Sequence, residues 1–221
     1  MKKIITLALV VLMIASLLVF GTGNAHKGIE ATEIVAPTGV TLRTLAEFPE
    51  AIDVVEDGDT FAENARKKAI EQAKHLQNFV LAEDSGICVD FLNGAPGVLS
   101  ARFAGENPRS DQRNNEYLLE KLADVPLEKR TAHYVCHMVL AAPNGEIEFE
   151  AEERCRGRIL LKPSGSNGFG YDPLFEVVEF HRTFGELAPE IKRAISHRAR
   201  ATRRLIPKLF EMVAAGKLPT M

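Results

Sequence analysis

The chain opens with two lysines and then an almost unbroken apolar run to Phe20, after which the pattern changes character several times. Leu17 to Phe20 is short and apolar at every position, the mark of a strand buried on both faces. Gly39 to Leu45 predicts a second short strand and a turn. From Thr60 the period becomes helical: Ala62, Ala65, Ala69, Ala73 and Leu76 recur on one face. Thr60 with Glu63 three residues on forms a capping box that starts this helix. Asn78 to Ala82 is a short apolar run that reads as a buried strand and leads straight into Glu83-Asp84-Ser85-Gly86. Ser110 caps a second helix to Leu122. Ala132 to Ala142, Pro143-Asn144-Gly145 and Ile147 to Glu152 read as a hairpin, with Asn-Gly at the turn. A basic helix starts near Ser196 and is expected to break or kink at Pro207. Strands and helices interleave, so the fold class is α/β with a mixed sheet.

Composition narrows the function classes. The chain has 221 residues, 46% hydrophobic and 26% charged, with a net charge of −3. That suits one domain with a sizeable core and argues against disorder or a general nucleic-acid binder. The three cysteines, Cys88, Cys136 and Cys155, are an odd number with no C-x-x-C pair, so neither a disulfide framework nor a zinc knuckle is expected. A reducing compartment follows.

Four segments could carry chemistry. Gly21 to Lys27 (GTGNAHK) follows an apolar run and offers main-chain N–H groups and a cation, as a phosphate cradle does, although it lacks P-loop spacing. A plain turn would look the same. Glu56-Asp57-Gly58-Asp59 and Glu83-Asp84 flank the capped helix, and a pair of carboxylates suits magnesium. Solvated acids at a helix N-terminus are the simpler reading of the first group. Asp84, expected at a strand end, sits where α/β sites are found. Asn167 to Pro173 (NGFGYDP) joins flexible backbone to two aromatics that could stack a base or plug the core. Lys192 and Ile195-Ser196-His197-Arg198 place cations at a helix start, against the dipole. His133 and His137 could share a strand face, but with no third ligand evident they read as packing. Ser85 lacks the context of a hydrolase nucleophile.

Taken in order, TGNAHK, VVEDGDTFAENA, LAEDSGICVD, GAPGVLSARFAG, NGFGYDPLF, TFGEL and KRAISHRA resemble one family, from Leu17 to Leu209. These are the pyrophosphatases of non-standard purine nucleoside triphosphates, also called inosine triphosphatases or XTP/dITP diphosphatases. The resemblance implies an elongated domain of two lobes with a substrate cleft between them, working as a homodimer. It implies Mg2+-dependent hydrolysis of ITP, dITP and XTP to monophosphate and pyrophosphate. Carried over, Thr22, Gly23, Asn24, Ala25, His26 and Lys27 would hold the triphosphate. Asp84 would be the proton acceptor and a metal ligand, with Glu56 the second metal carboxylate and Glu50 and Asp57 its nearby alternatives. Ser85, Phe169, Gly170, Tyr171, Asp172, Lys192, His197 and Arg198 would contact substrate. Glu83 stands where many members have aspartate. Neither a stable nucleic-acid partner nor a membrane is expected. The other reading, a non-catalytic nucleotide- or RNA-binding protein using the basic C-terminal helix, gives no reason for acids beside phosphate.

The resemblance bears on the opening stretch. Two lysines, an apolar run and Gly23-Asn24-Ala25 also look like a secretory signal. Cleavage there would remove Thr22 to Asn24 and the strand before them. The expected division is an apolar extension over 1–16, a pyrophosphatase domain over 17–210 and a tail over 211–221. The expected location is cytoplasmic, with the chain starting at Met13, and a membrane anchor or export signal is the alternative. A chain begun at Met13 should be soluble and hydrolyse ITP, whereas one begun at His26 should lose both properties. Removing Leu17 to Phe20 takes away apolar side chains whose burial is worth roughly 1.5–3 kcal/mol each. An active His26 form would reverse both the location and the phosphate-loop reading.

Overall fold

A computed structural model describes residues 16–105 and 109–219, without the side chains of Ala25 and His26. The expectations for the extension before Ser16 lie outside the described residues. Seven strands form one mixed sheet in the order β2-β1-β3-β4-β5-β6-β7. They are β1 (Ser16–Phe20), β2 (Val40–Thr44), β3 (Val80–Val89), β4 (Thr131–Ala141), β5 (Ile147–Ile159), β6 (Phe175–Val177) and β7 (Arg182–Thr183). β1 runs parallel to both β2 and β3, and every later pairing is antiparallel. The helices are α1 (Ala25–Val35), α2 (Phe61–Leu76), α3 (Asp111–Lys121), α4 (Pro189–Ile195) and α5 (His197–Ala214). Among the described residues no helix is long and apolar enough to cross a membrane.

Each face of the sheet is covered for a reason visible in the side chains. α2 lies on one face through Ala65, Ala69 and Ala73, all fully buried against Val19, Val80, Ala82 and Val139. Small residues let the helix approach the sheet closely. The capping box fixes where it starts, with Glu63 N–H on Thr60 Oγ1 at 3.1 Å and Thr60 N–H on the Glu63 carboxylate at 3.0 Å. On the opposite face, α5 sets Ala201, Leu205, Leu209 and Met212 at helical spacing against Leu18, Phe20, Leu81 and Met138. α5 continues through Pro207 rather than ending there. Pro207 is exposed, so the carbonyl deprived of its partner can be met by water. A third cluster gathers Ile87, Val89, Leu118, Tyr134, Phe175 and Phe184 at the far end of the same face.

β5 is much longer than the hairpin strand expected. Beyond Glu152 it continues in period two, with Arg154 and Arg156 exposed and Cys155, Gly157 and Ile159 buried. Glu153 and Gly157 stand in phase with Phe149 and Ala151 without a large apolar side chain, and that hides the alternation from a reading by hydropathy.

Two further tight contacts hold the segment after β3. The Ser100 hydroxyl accepts from Ile87 N–H at 2.9 Å and donates to Gly97 O at 2.6 Å, clamping the 3-10 turn Gly97–Arg102 onto β3. Gly86 has no room for a Cβ, which would overlap Ser100 Oγ and Gly97 O. Gly86→Ala should therefore cost about 1–3 kcal/mol, as overpacking does. Guanidinium unfolding of the two proteins measures it, and an unchanged midpoint would mean that the turn is not clamped.

Candidate functional site

The site exists because β1 stops early. Its last pairs with β3 are Val19 with Val80 and Phe20 with Leu81, and Gly21 N–H then donates to Leu81 O at 2.7 Å. β3 runs on, so from Glu83 it presents an edge that β1 no longer covers. Glu83 and Asp84 thus lie inside a strand, not just past its end as expected. They act as strand-end residues because the neighbour ends. They are also not a pair. Successive strand side chains point to opposite faces, which sends Asp84 toward α2 and Glu83 toward α1 and α5.

On the α2 face, Asp84 accepts from the Asn64 amide at 3.1 Å and from the Ser85 N–H at 3.0 Å. Lys68 lies 2.9 Å from Glu56 and 3.6 Å from Asp84, so both carboxylates converge on one ammonium. Burial lifts Asp84 above the ordinary carboxylate range; Lys68 and Lys27 pull it down and Glu56 adds to the rise. Asp57 instead turns outward to Lys67 at 2.6 Å, and Glu50 meets His75 through its carbonyl. This space is a cavity of about 860 Å³ lined by Thr22, Gly23, Asn24 and Lys27 and also by Ala101 and Arg102. Asn24 precedes α1 and caps it, its Oδ1 accepting from Lys27 N–H at 3.3 Å. Ala25 and His26 begin α1, but what their side chains do lies outside the described structure.

On the other face lies a buried chain of alternating charge. Lys27 meets Glu83 at 3.1 Å, and Glu83 meets Arg198 at 2.9 Å. Arg198 meets Glu30 at 2.6 Å, Glu30 meets Lys192 at 3.1 Å, and Lys192 meets Asp172 at 2.6 Å. The side chains of Glu83 and Arg198 are 0% and 2% exposed. Burial alone would raise Glu83, yet Arg198 and Lys27 hold it well below the usual carboxylate range. Arg198 is correspondingly held above its ordinary value. Three of its N–H groups are committed, on Glu83, Glu30 and Ser85 Oγ, which leaves one N–H on each terminal nitrogen.

A second cavity, of about 130 Å³, adjoins this chain and shares Asn24, Lys27, Ser85 and Ala101 with the first. Its walls carry Phe169, Gly170, Tyr171, Asp172, Lys192, His197 and Arg198. The Phe169 ring lies 4.5 Å from the Lys192 ammonium and 5.8 Å from the Arg198 guanidinium. Tyr171 is the core plug of the pair, its hydroxyl donating to Ser100 O at 2.8 Å. His197 stacks on Tyr134 with centroids 4.6 Å apart and planes 6° from parallel. Burial, then Arg198, drives its pKa well down, so it is a neutral ring. Its Nδ1 is buried with no hydrogen-bond partner among the described residues.

The structure therefore brings together every predicted site residue whose side chain is described, though not always as expected. Lys192 does not share the helix start with His197 and Arg198. It lies in the last turn of α4, where a cation suits the dipole, and Ser196 separates the two helices. The basic face of α5 is largely spent inside the molecule: Arg200 and Arg203 donate to carbonyls, and Arg204 and Lys208 meet Glu153 and Glu148. His137 meets Glu150 and Glu152. No three His, Cys, Asp or Glu side chains among the described residues converge on a metal position. A magnesium ion needs fewer, since it keeps waters and takes phosphate oxygens. The two carboxylates on Lys68 fit that.

Sequence reasoning missed Glu30, Asn64 and Lys68. The signal was helical spacing: Glu30 follows Lys27 by three residues on α1, and Lys68 follows Asn64 by four on α2.

Comparison with known proteins finds relatives in both sequence and fold. The Ham1 family profile matches residues 18–208. A dITP/XTP pyrophosphatase of Rhodopirellula baltica is 54% identical over 199 residues, covering 90% of this chain and 95% of its own. One from Desulforamulus reducens is 49% identical over 187 residues, covering 85% and 92%. The Ham1 protein of Staphylococcus aureus superposes with a TM-score of 0.78 at 38% identity, over 87% of this chain and 97% of its own. A HAM1 protein of Coxiella burnetii gives 0.81 at 36% identity, over 89% and 99%.

Glu83→Gln would leave buried Arg198 and part-buried Lys27 without their shared counter-charge. The expected loss is about 3–5 kcal/mol at neutral pH. Because the folded-state pKa of Glu83 is depressed, its contribution is fully present above the ordinary glutamate value of 4.5 and disappears as pH falls through the folded value. Urea unfolding at neutral and acid pH should therefore show a gap between the two proteins that closes in acid. A gap that is constant with pH would mean that charge is not the cause.

Proposed function

The chain belongs to the Ham1 family, and we propose that it hydrolyses dITP, ITP and XTP to the monophosphate and pyrophosphate at the joined cavities. The family and the pyrophosphatase relatives support the reaction class, and the convergence of Phe169, His197 and Arg198 on the smaller cavity supports the nucleobase position. The base would lie between Phe169 and the Arg198–His197 wall, the sugar near Ser85 and Ala101, and the phosphates against Thr22 to Lys27.

In this reading Asp84 takes the proton of the attacking water. Asn64 and the Ser85 N–H orient its carboxylate, and its raised pKa brings its basicity nearer to neutral pH. Water supplies the oxygen that joins the α-phosphorus, and the electron pair of the broken bond leaves on pyrophosphate. Glu56 and Asp84 would hold magnesium, which when bound neutralises phosphate charge and polarises phosphorus. Lys68 spans the same two carboxylates and holds them together. We take the working form to be a cytoplasmic homodimer, and three unbridged cysteines suit a reducing compartment.

Pyrophosphate release across ITP, XTP, dITP and ATP tests the reading. ITP and XTP should turn over well above ATP, with pyrophosphate as first product. Turnover of ATP equal to that of ITP would end the specificity claim. Asp84→Asn should lower kcat by at least about 100-fold, the scale of a general base, with the fold kept. A near-normal rate would remove Asp84 from the chemistry.

A further inference from the structure

The 3-10 turn Gly97–Arg102 lines the same cavities as the phosphate loop, and its last three residues divide between them. Ser100 lines the base-side cavity, Ala101 lines both, and Arg102 lines the phosphate-side cavity. These three residues thus step from one cavity to the other. Its backbone is held at both ends. Ser100 is clamped to β3 by Ile87 N–H and Gly97 O, just beyond Asp84. Buried Asn114 of α3 braces the other end, its amide donating to Ala101 O at 3.2 Å and its Oδ1 accepting from Ala104 N–H at 2.8 Å. Arg102 lies between these braces, and its Nη2 reaches the Glu56 carbonyl at 3.4 Å.

We propose that Arg102 is a ligand of the pyrophosphate half of the substrate, binding the β- and γ-phosphates that leave together. The proposal rests on the pyrophosphatase reading above and adds a residue to it. Hydrolysis leaves the electron pair of the broken bond on pyrophosphate, so the need for positive charge grows on that side as the bond breaks. Arg102 lines the phosphate-side cavity from a different segment than Lys27 and Lys68, and a planar fork can take two phosphate oxygens at once where an ammonium acts as a point charge. A backbone fixed on both sides lets that charge be placed before the substrate arrives.

Calorimetric titration with imidodiphosphate, an uncleaved pyrophosphate analogue, and separately with IMP tests this in the presence of magnesium. The proteins are the full chain, Arg102→Ala and Arg102→Lys, and ITP turnover against magnesium concentration is measured for each. Arg102→Ala should weaken imidodiphosphate about tenfold or more and leave IMP within about twofold. Its kcat/KM for ITP should fall without any change in the magnesium requirement. Arg102→Lys should recover part of the affinity, since it keeps the charge but not the fork. Unchanged imidodiphosphate affinity would overturn the proposal. So would equal weakening of both ligands, which would mean that the wall has moved. Rescue by extra magnesium would also overturn it, because Arg102 would then act through Glu56. A wild-type chain that neither binds imidodiphosphate nor hydrolyses ITP would remove the pyrophosphatase reading itself.

Discussion

Glu83 and Arg198 form a buried ion pair between elements 115 residues apart in sequence, and the cleft is organised around it. Arg198 cannot be buried at 2% exposure without counter-charge, so α5 must begin where Glu83 and Glu30 can reach it. Those two acids in turn fix Lys27 and Lys192. The charge chain therefore sets α1, β3, α4 and α5 relative to one another before any ligand is present. A buried network of this kind stabilises only when every member is satisfied. Here the chain is balanced, with three cations alternating with three acids, and Cys136 and Ser85 complete the contacts around Glu83.

The strand alternation at β3 gives neighbouring residues unlike work. Glu83 faces the charge chain and is held firmly ionised, with its carboxylate saturated by Arg198, Lys27 and Cys136. Asp84 faces α2, where burial outweighs the pull of Lys68 and Lys27 and lifts it. One peptide bond thus separates an acid used as a structural counter-ion from one suited to accept a proton. Environment, rather than residue type, makes the difference.

Much of this was legible in the sequence and some of it was not, for physical reasons. β1, the capped α2 and the helix after Ser110 follow from local pattern, because apolar period and capping residues act over a few positions. β5 was cut short because Glu153 and Gly157, in phase with its apolar positions, broke the expected hydropathy. Two of the segments that meet at the site were identifiable because they break a local rule: Arg198 is a cation at a helix start, and Glu83 and Asp84 follow an apolar run. How they meet was not. That Glu83 and Asp84 part company depends on where β1 ends relative to β3. That Arg198 spends most of its donors inside the protein depends on Glu30, a residue ordinary in its own helix. Long-range charge pairing leaves no periodic trace in a single chain.

The committed donors of Arg198 also bear on how the proposed base site would choose. A guanidinium with every N–H available could reorient to suit many ligands. This one is pinned by Glu83, Glu30 and Ser85, so its two remaining N–H groups point in fixed directions. Fixed donors suit the 6-oxo group of hypoxanthine or xanthine. Against the 6-amino group of adenine they would set N–H against N–H, and neither side could turn away without breaking the buried chain. A site built to donate rejects a donor far more strongly than an apolar pocket rejects an extra atom, since mispairing leaves buried polar groups unsatisfied. On this argument the acids that hold Arg198 still are as much a part of discrimination as the arginine that meets the base.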